Sequence, residues 1–112
     1  MQWNGTFMNE NKNSHIVCIE QDVHLVLYRL SSSISRIFFI NDNKDEISIP
    51  NRFHIQDNTN GLPVRNYINS YFLCWTDNYD FFFNNELILT LNNYRNLDIE
   101  VVKVHIPPVD TI

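Results

Sequence analysis

Histidine and cysteine are the residues whose spacing would reveal a metal or thiol site most directly, because both bind transition metals and both serve nucleophilic catalysis. The chain has four histidines and two cysteines: His15, His24, His54, His105, Cys18 and Cys74. No two histidines have the close spacing of a metal-binding pair. His15 and Cys18 form a lone H-x-x-C without the second ligand pair that zinc needs. We therefore predict no metal site and no cofactor.

Catalytic motifs are equally sparse. Neither cysteine has the flanking sequence of a thiol enzyme, although either would gain a base if a histidine lay against it in the fold. Ser31–Ser33 lack the glycines of a nucleophile elbow, and Gly5 and Gly61 stand alone, so no glycine-rich loop can cradle a phosphate. Four carboxylates could pair as catalytic acids and bases, but nothing in the spacing joins them: Asp77, Asp80, Asp98 and Glu100. The sequence thus predicts no catalytic residue and no enzyme.

The polar segment Asn41–Glu46 resembles the start of a calcium loop, because it offers side-chain oxygens at alternate positions. Counted from Asn41, the sixth position is Glu46, where the loop needs glycine, and the twelfth is Arg52, where it needs glutamate. We interpret the segment as the tip of a hairpin.

Aromatic residues are concentrated in one segment of the second half. It contains Tyr67, Tyr71, Phe72, Trp75, Tyr79, Phe81, Phe82 and Phe83. A strand cannot turn Phe82 and both its neighbours to one face, so either both faces are covered or an aromatic side chain is displayed.

Acidic and amide side chains interrupt this segment, and aromatic residues beside charges are typical anchors of protein interfaces. We predict a binding surface made of Trp75, Asp77, Asn78, Tyr79 and Asp80. The alternative is that Trp75 and Tyr79 belong to the core and that Asp77-Asn78 is only the turn before a hairpin.

The charge of the chain narrows the choice of partner. Thirteen acidic residues against eight Lys and Arg give a net charge of −5. A binder of nucleic acid or of an anionic membrane needs a basic face, so both partners are disfavoured. A basic protein is the partner that an acidic surface attracts. No apolar stretch approaches the roughly 20 residues of a membrane span. The N-terminus lacks a signal peptide, so we expect a cytoplasmic protein with reduced cysteines.

The elements that must position these residues are mostly strands. The 112 residues suit one domain, 1–112, and the absence of alanine together with many β-branched and aromatic residues favours sheet. Short apolar runs between Asn-rich turns predict strands at 2–7, 15–19, 23–30, 35–40, 46–49, 52–56, 79–83, 86–91 and 97–106. The pairs 35–40/46–49 and 79–83/86–91 read as hairpins, the second around Asn84-Asn85.

Two segments depart from this pattern. Asp22 could cap a helix with the apolar stripe Val23, Val26, Leu27, Leu30 and Ile34, but we predict a strand there. The second segment is 64–75. Val64, Tyr67, Ile68, Tyr71, Phe72 and Trp75 recur at helical spacing after Pro63, so we predict a helix there. The expected fold is a small antiparallel β-sandwich or curved sheet, with this helix as the α+β alternative.

Two function classes remain open. The first is a non-enzymatic protein-binding module; in size, acidity and lack of motifs the chain resembles the inhibitors and immunity proteins of bacteria and phages, a likeness of type and not of sequence. The second is a carbohydrate-binding β-sandwich that uses exposed aromatic side chains. An exposed aromatic patch would also serve a homo-oligomer.

Overall fold

The structure, a computed structural model, describes residues 6–8, 14–74, 76–92 and 99–101, with the backbone alone for 6–8 and 99–101. These ranges contain ten strands: β1 (Thr6–Met8), β2 (Ser14–Glu20), β3 (Val23–Arg29), β4 (Ile34–Ile40), β5 (Glu46–Ile47), β6 (Phe53–Asp57), β7 (Tyr71–Cys74), β8 (Tyr79–Phe83), β9 (Glu86–Leu91) and β10 (Ile99–Val101). No helix occurs among them, so no described helix could cross a membrane.

Six of the strands form an antiparallel sheet built around β4. The order β1-β2-β3-β4-β5 follows the chain through successive hairpins, and β7 returns to pair with β4 as well. Strand β4 has room for both neighbours on one edge, because β5 pairs with its end at Phe39–Ile40 and β7 with its beginning at Ile34–Ile37.

The remaining four strands form a second antiparallel sheet in the order β10-β9-β8-β6. The two sheets pack against each other through a shared aromatic cluster centred on Phe53. Its ring makes edge-to-face contacts with Phe39 and Tyr71 of the six-stranded sheet and with Phe81 of its own sheet, at centroid distances of 4.8, 5.8 and 5.9 Å. The mainly β architecture with two antiparallel sheets confirms the predicted fold class.

The predicted helix at 64–75 is wrong. Residues Tyr71–Cys74 form β7, and Tyr67 and Ser70 bond to each other's backbone across a turn. The side chains alternate as in a strand, with Tyr71 and Leu73 buried and Phe72 exposed. Pairing with the beginning of β4 outweighs the helical spacing, because it joins β7 to the main sheet and buries alternate side chains in the core.

The two predicted hairpins are confirmed. Strands β4 and β5 are joined by the predicted five-residue loop, 41–45. Asn84 and Asn85 join β8 to β9 with φ angles of 53° and 64°, which are the left-handed values of a tight hairpin turn.

A bulge in the β8–β9 hairpin interrupts the simple alternation of Leu87, Leu89 and Leu91 along β9. The register shifts between Phe81, opposite Leu89, and Phe82, opposite Leu87. The extra residue, Ile88, is buried, and Leu87 is turned out of the core face.

Candidate functional site

The predicted binding residues lie in the connection between β7 and β8 and at the beginning of β8. Asp77 is exposed, and Asn78 and Asp80 are half-buried. Trp75 lies outside the described residues. Tyr79 is only 6% exposed and belongs to the hydrophobic core, as in the alternative interpretation of this residue. The surface is therefore formed by polar side chains, with Tyr79 beneath them.

The hydroxyl of Tyr79 connects the core to this turn. It accepts a hydrogen bond from the Cys74 backbone N–H and donates one to Asp77 Oδ2, both at 3.3 Å. Burial, opposed by the hydrogen bond from the Cys74 N–H and assisted by the nearby Asp77 carboxylate, raises the pKa of Tyr79 to about 12. At neutral pH Tyr79 is thus a fixed neutral donor that orients the Asp77 carboxylate.

The end of β6 and the loop that follows it, together 57–62, bring two more polar residues to the same place. Asn58 Nδ2 donates to Asp80 Oδ2 at 2.8 Å, and the Asn58 backbone N–H donates to the Asn78 carbonyl at 2.9 Å. Asp57 pairs with Tyr79 across the β6–β8 ladder. We call the set Asp57, Asn58, Asp77, Asn78 and Asp80 the acidic turn cluster.

The sequence analysis predicted three of the five cluster residues, Asp77, Asn78 and Asp80, together with Tyr79 beneath them. It missed Asp57 and Asn58. Asp57 is twenty residues from Asp77 in the sequence. The pairing of β6 with β8 joins them, and β7 intervenes between these two strands along the chain. No local signal in the sequence reveals such a pairing.

Within the part of the chain that the structure describes, the acidic turn cluster has no cationic partner. Among the described residues, ion pairs join Arg36 to Glu46, Arg52 to Glu20 and His24 to Asp42, and none of them involves Asp57, Asp77 or Asp80. The three aspartates are instead held by neutral hydrogen bonds from Thr59 N, Tyr79 and Asn58. Their negative charge is therefore available to a ligand. Leu62, whose carbonyl accepts a hydrogen bond from Asp57 N, is 60% exposed.

A second candidate surface lies on the six-stranded sheet. Tyr67, Ile68 and Phe72 are all exposed, and we call them the apolar tip. Beside them is a groove of about 350 Å³ lined by Arg36, Glu46, Tyr67, Ile68, Asn69, Ser70 and Phe72.

Arg36 is fixed at the centre of this groove. Its Nε donates to Ser70 Oγ at 2.9 Å, its Nη2 forms an ion pair with Glu46, and its guanidinium lies 4.1 Å from the centre of the Phe38 ring. The charge of Arg36 is thus compensated by Glu46, and the groove combines apolar walls with a neutral ion pair.

Ile68 has an unusual backbone conformation at the end of the apolar tip. Its φ is 55°, and it is 89% exposed. For a β-branched residue the left-handed region costs about 1–2 kcal/mol, since Cβ crowds the following carbonyl. Neither the backbone nor the exposed side chain of Ile68 is favourable for the isolated fold, and strained residues of this kind cluster at functional sites.

A cysteine, a histidine and an aspartate, which are residue types common in catalytic sites, also come together in the fold. Cys18 pairs with His24 across β2 and β3, and His24 Nε2 lies 2.6 Å from Asp42 Oδ1. A nucleophilic thiol needs a lowered pKa, whereas burial, with a further contribution from Asp42, raises the pKa of Cys18. The thiol donates instead to the Glu20 carbonyl at 3.6 Å. These contacts do not give Cys18 the activation that a nucleophilic thiol needs.

Metal ligands do not converge in the described part of the chain, where no three His, Cys, Asp or Glu side chains are placed to hold one ion. Comparison with protein-family models, with curated protein sequences and with solved structures gave no match to this chain. Its function must therefore be argued from the two surfaces themselves.

Proposed function

We propose that the protein is a non-enzymatic binding module that engages a basic partner protein through the acidic turn cluster. The observation that supports this is that three aspartates, Asp57, Asp77 and Asp80, lie at or beside one end of the β6–β8 pair without a cationic partner among the described residues. Carboxylates at one end of a strand pair that have no cationic partner attract a basic protein. An inhibitor or immunity-type role in the cytoplasm is part of the same proposal.

The hydrogen bonds of the cluster favour binding because they fix its shape in advance. Asn58 joins the two loops through its side chain and its backbone, and Tyr79 supports the Asp77 carboxylate from below. A partner that meets preorganised carboxylates loses less conformational entropy on binding. The exposed Leu62, in the same loop as Asn58, would add apolar area to such an interface.

The first test of this proposal is a comparison of isosteric variants. Asp77→Asn with Asp80→Asn removes two charges and keeps an acceptor oxygen for Tyr79 and for Asn58. We expect a basic protein that the wild type captures from its host to be lost with this variant. The rate at which this partner associates should fall by about tenfold at low salt, because the variant has lost charges that steer the partner. The difference should shrink at higher salt, because the charges are screened within roughly 10 Å.

The matched control is Asp22→Asn with Asp45→Asn, which removes the same charge from two exposed residues far along the chain from the cluster. If both double variants slow association equally, the cluster has no specific role and only net charge matters. Association that is indifferent to salt and to Asp77 and Asp80 would contradict the proposal.

The carbohydrate-binding alternative would use the exposed rings of the apolar tip. Tyr67 and Phe72 have centroids 6.1 Å apart, but their planes are tilted by 44°, so they do not form one flat platform for a sugar ring. We rank this function second for that reason. It predicts that soluble oligosaccharides perturb the NMR resonances of Tyr67, which the protein-binding proposal does not.

A further inference from the structure

We propose that two copies of this chain associate about a two-fold axis through the apolar tip, with Ile68 of each copy inserted into the groove of the other. This interface lies on the six-stranded sheet and is independent of the acidic turn cluster. It therefore goes beyond the proposed function, and either one can hold without the other.

Shape is the first support for this interface. A two-fold contact brings the same patch of both copies together, so that patch must contain both a projection and a depression. Ile68 projects almost fully into solvent, and it also forms one wall of the groove of about 350 Å³. A water molecule occupies about 30 Å³, so the groove has ample room for one aliphatic side chain. The projecting Ile68 side chain and the groove that would receive its counterpart are thus adjacent, as a self-complementary patch requires.

Charge distinguishes a second copy from a basic partner at this position. The chain carries a net charge of −5, so two copies repel each other at most contacts. The groove is an exception, because Arg36 and Glu46 neutralise each other within it. A basic partner would find no unpaired carboxylate among the groove residues. A second copy would meet no net repulsion there. The two copies could also exchange partners, with Arg36 of each copy pairing with Glu46 of the other across the axis.

The backbone of Ile68 is a third, separate support. At φ 55° asparagine or glycine is the residue that the turn itself favours, and the chain uses asparagine at the tight turn Asn84-Asn85. An isoleucine at this position destabilises the monomer in two ways: its backbone has a positive φ, and its apolar side chain is exposed to solvent. Burial of its side chain in a partner would recover the cost of exposure.

The test is the oligomeric state of Ile68→Asn, a substitution that suits the left-handed backbone and removes the apolar projection. Sedimentation velocity between about 1 µM and about 1 mM should show a reversible dimer for the wild type. Association of Ile68→Asn should be weaker by about tenfold or more, while its melting temperature, measured on monomer at low concentration, does not fall. The control Leu62→Asn removes another exposed apolar side chain, elsewhere on the molecule, and should dimerise like the wild type.

A charge-exchange experiment tests the interface by another route. Arg36→Glu and Glu46→Arg each place like charges in both grooves, so each variant alone should associate more weakly than the wild type. An equimolar mixture of the two should recover association, because the opposite charges then meet across the axis. A wild type that stays monomeric up to about 1 mM, an Ile68→Asn protein that dimerises like the wild type, or a mixture without recovery would each overturn the proposal.

Discussion

At the scale of single residues, the hydroxyl of Tyr79 links the core to the acidic turn cluster. Its ring lies among the buried side chains of both sheets, while its oxygen bonds to Cys74 N and Asp77 Oδ2. A buried phenol keeps its proton to high pH because the phenolate would lose its hydration. Ionisation of Tyr79 should therefore disturb packing and the position of Asp77 together.

The consequence for stability can be measured by titration. The folded pKa of about 12 exceeds the ordinary value of about 10, so the folded state holds this proton where the unfolded chain has lost it. The stabilisation is complete below about pH 10, and the free energy of unfolding should fall as pH rises towards 12. The free energy of unfolding should decline less with pH in Tyr79→Phe than in the wild type. Asp77→Asn should lower the pKa of Tyr79, because it removes the adjacent negative charge.

Ultraviolet absorbance of the tyrosinate, followed together with chemical denaturation at each pH, separates these effects. Tyr71, whose pKa is also raised by burial, contributes part of the decline in both proteins. An identical pH dependence for the wild type and Tyr79→Phe would contradict the assignment.

At the scale of elements, the β8–β9 hairpin depends on two asparagines with positive φ. Asn85 is exposed and has a φ of 64°. Replacing Asn85 with alanine should destabilise the protein by about 1 kcal/mol, because alanine tolerates this backbone poorly, whereas glycine should be neutral or slightly stabilising. Urea denaturation measures both values. Asn51→Ala, at another exposed turn, should change stability by less than about 0.5 kcal/mol, and an equal loss there would refute the conformational explanation.

The elements also show which parts of the fold the sequence could predict. Hairpins such as β4–β5 and β8–β9 were predictable, because their strands are adjacent and their turns have characteristic residues. The pairing of β7 with β4 and of β6 with β8 was not, because nothing local encodes a partner more than twenty residues away. That non-local pairing explains both the wrong helix at 64–75 and the missed Asp57 and Asn58.

At the scale of the whole molecule, one aromatic cluster joins the two sheets. Phe53 contacts Phe39, Tyr71 and Phe81, so its removal opens a cavity between the sheets. We expect Phe53→Ala to lower the free energy of unfolding by about 3–5 kcal/mol, and Leu62→Ala, at an exposed site, by less than about 0.5 kcal/mol.

The same cluster predicts that both sheets unfold together. Hydrogen exchange of amides in β3 and in β8 should report the same global opening energy in the wild type, because neither sheet retains its core without the other. A β8 that exchanges through a separate, lower-energy opening would show that the sheets are independent units. A loss of less than about 1 kcal/mol in Phe53→Ala would likewise contradict the central role of this ring.

The short segment after the 57–62 loop affects how this molecule behaves in a crowded solution. Pro63 lies beside Gln56 on the outer side of β6, where Leu62 accepts from Asp57 N and Val64 donates to the Ile55 carbonyl. An open strand edge is a template on which other chains can add and grow into fibrils. Here that edge is already occupied, and the covering segment has no N–H at Pro63 to offer the next chain. This side of the four-stranded sheet is thereby protected against edge-to-edge addition of strands from other chains.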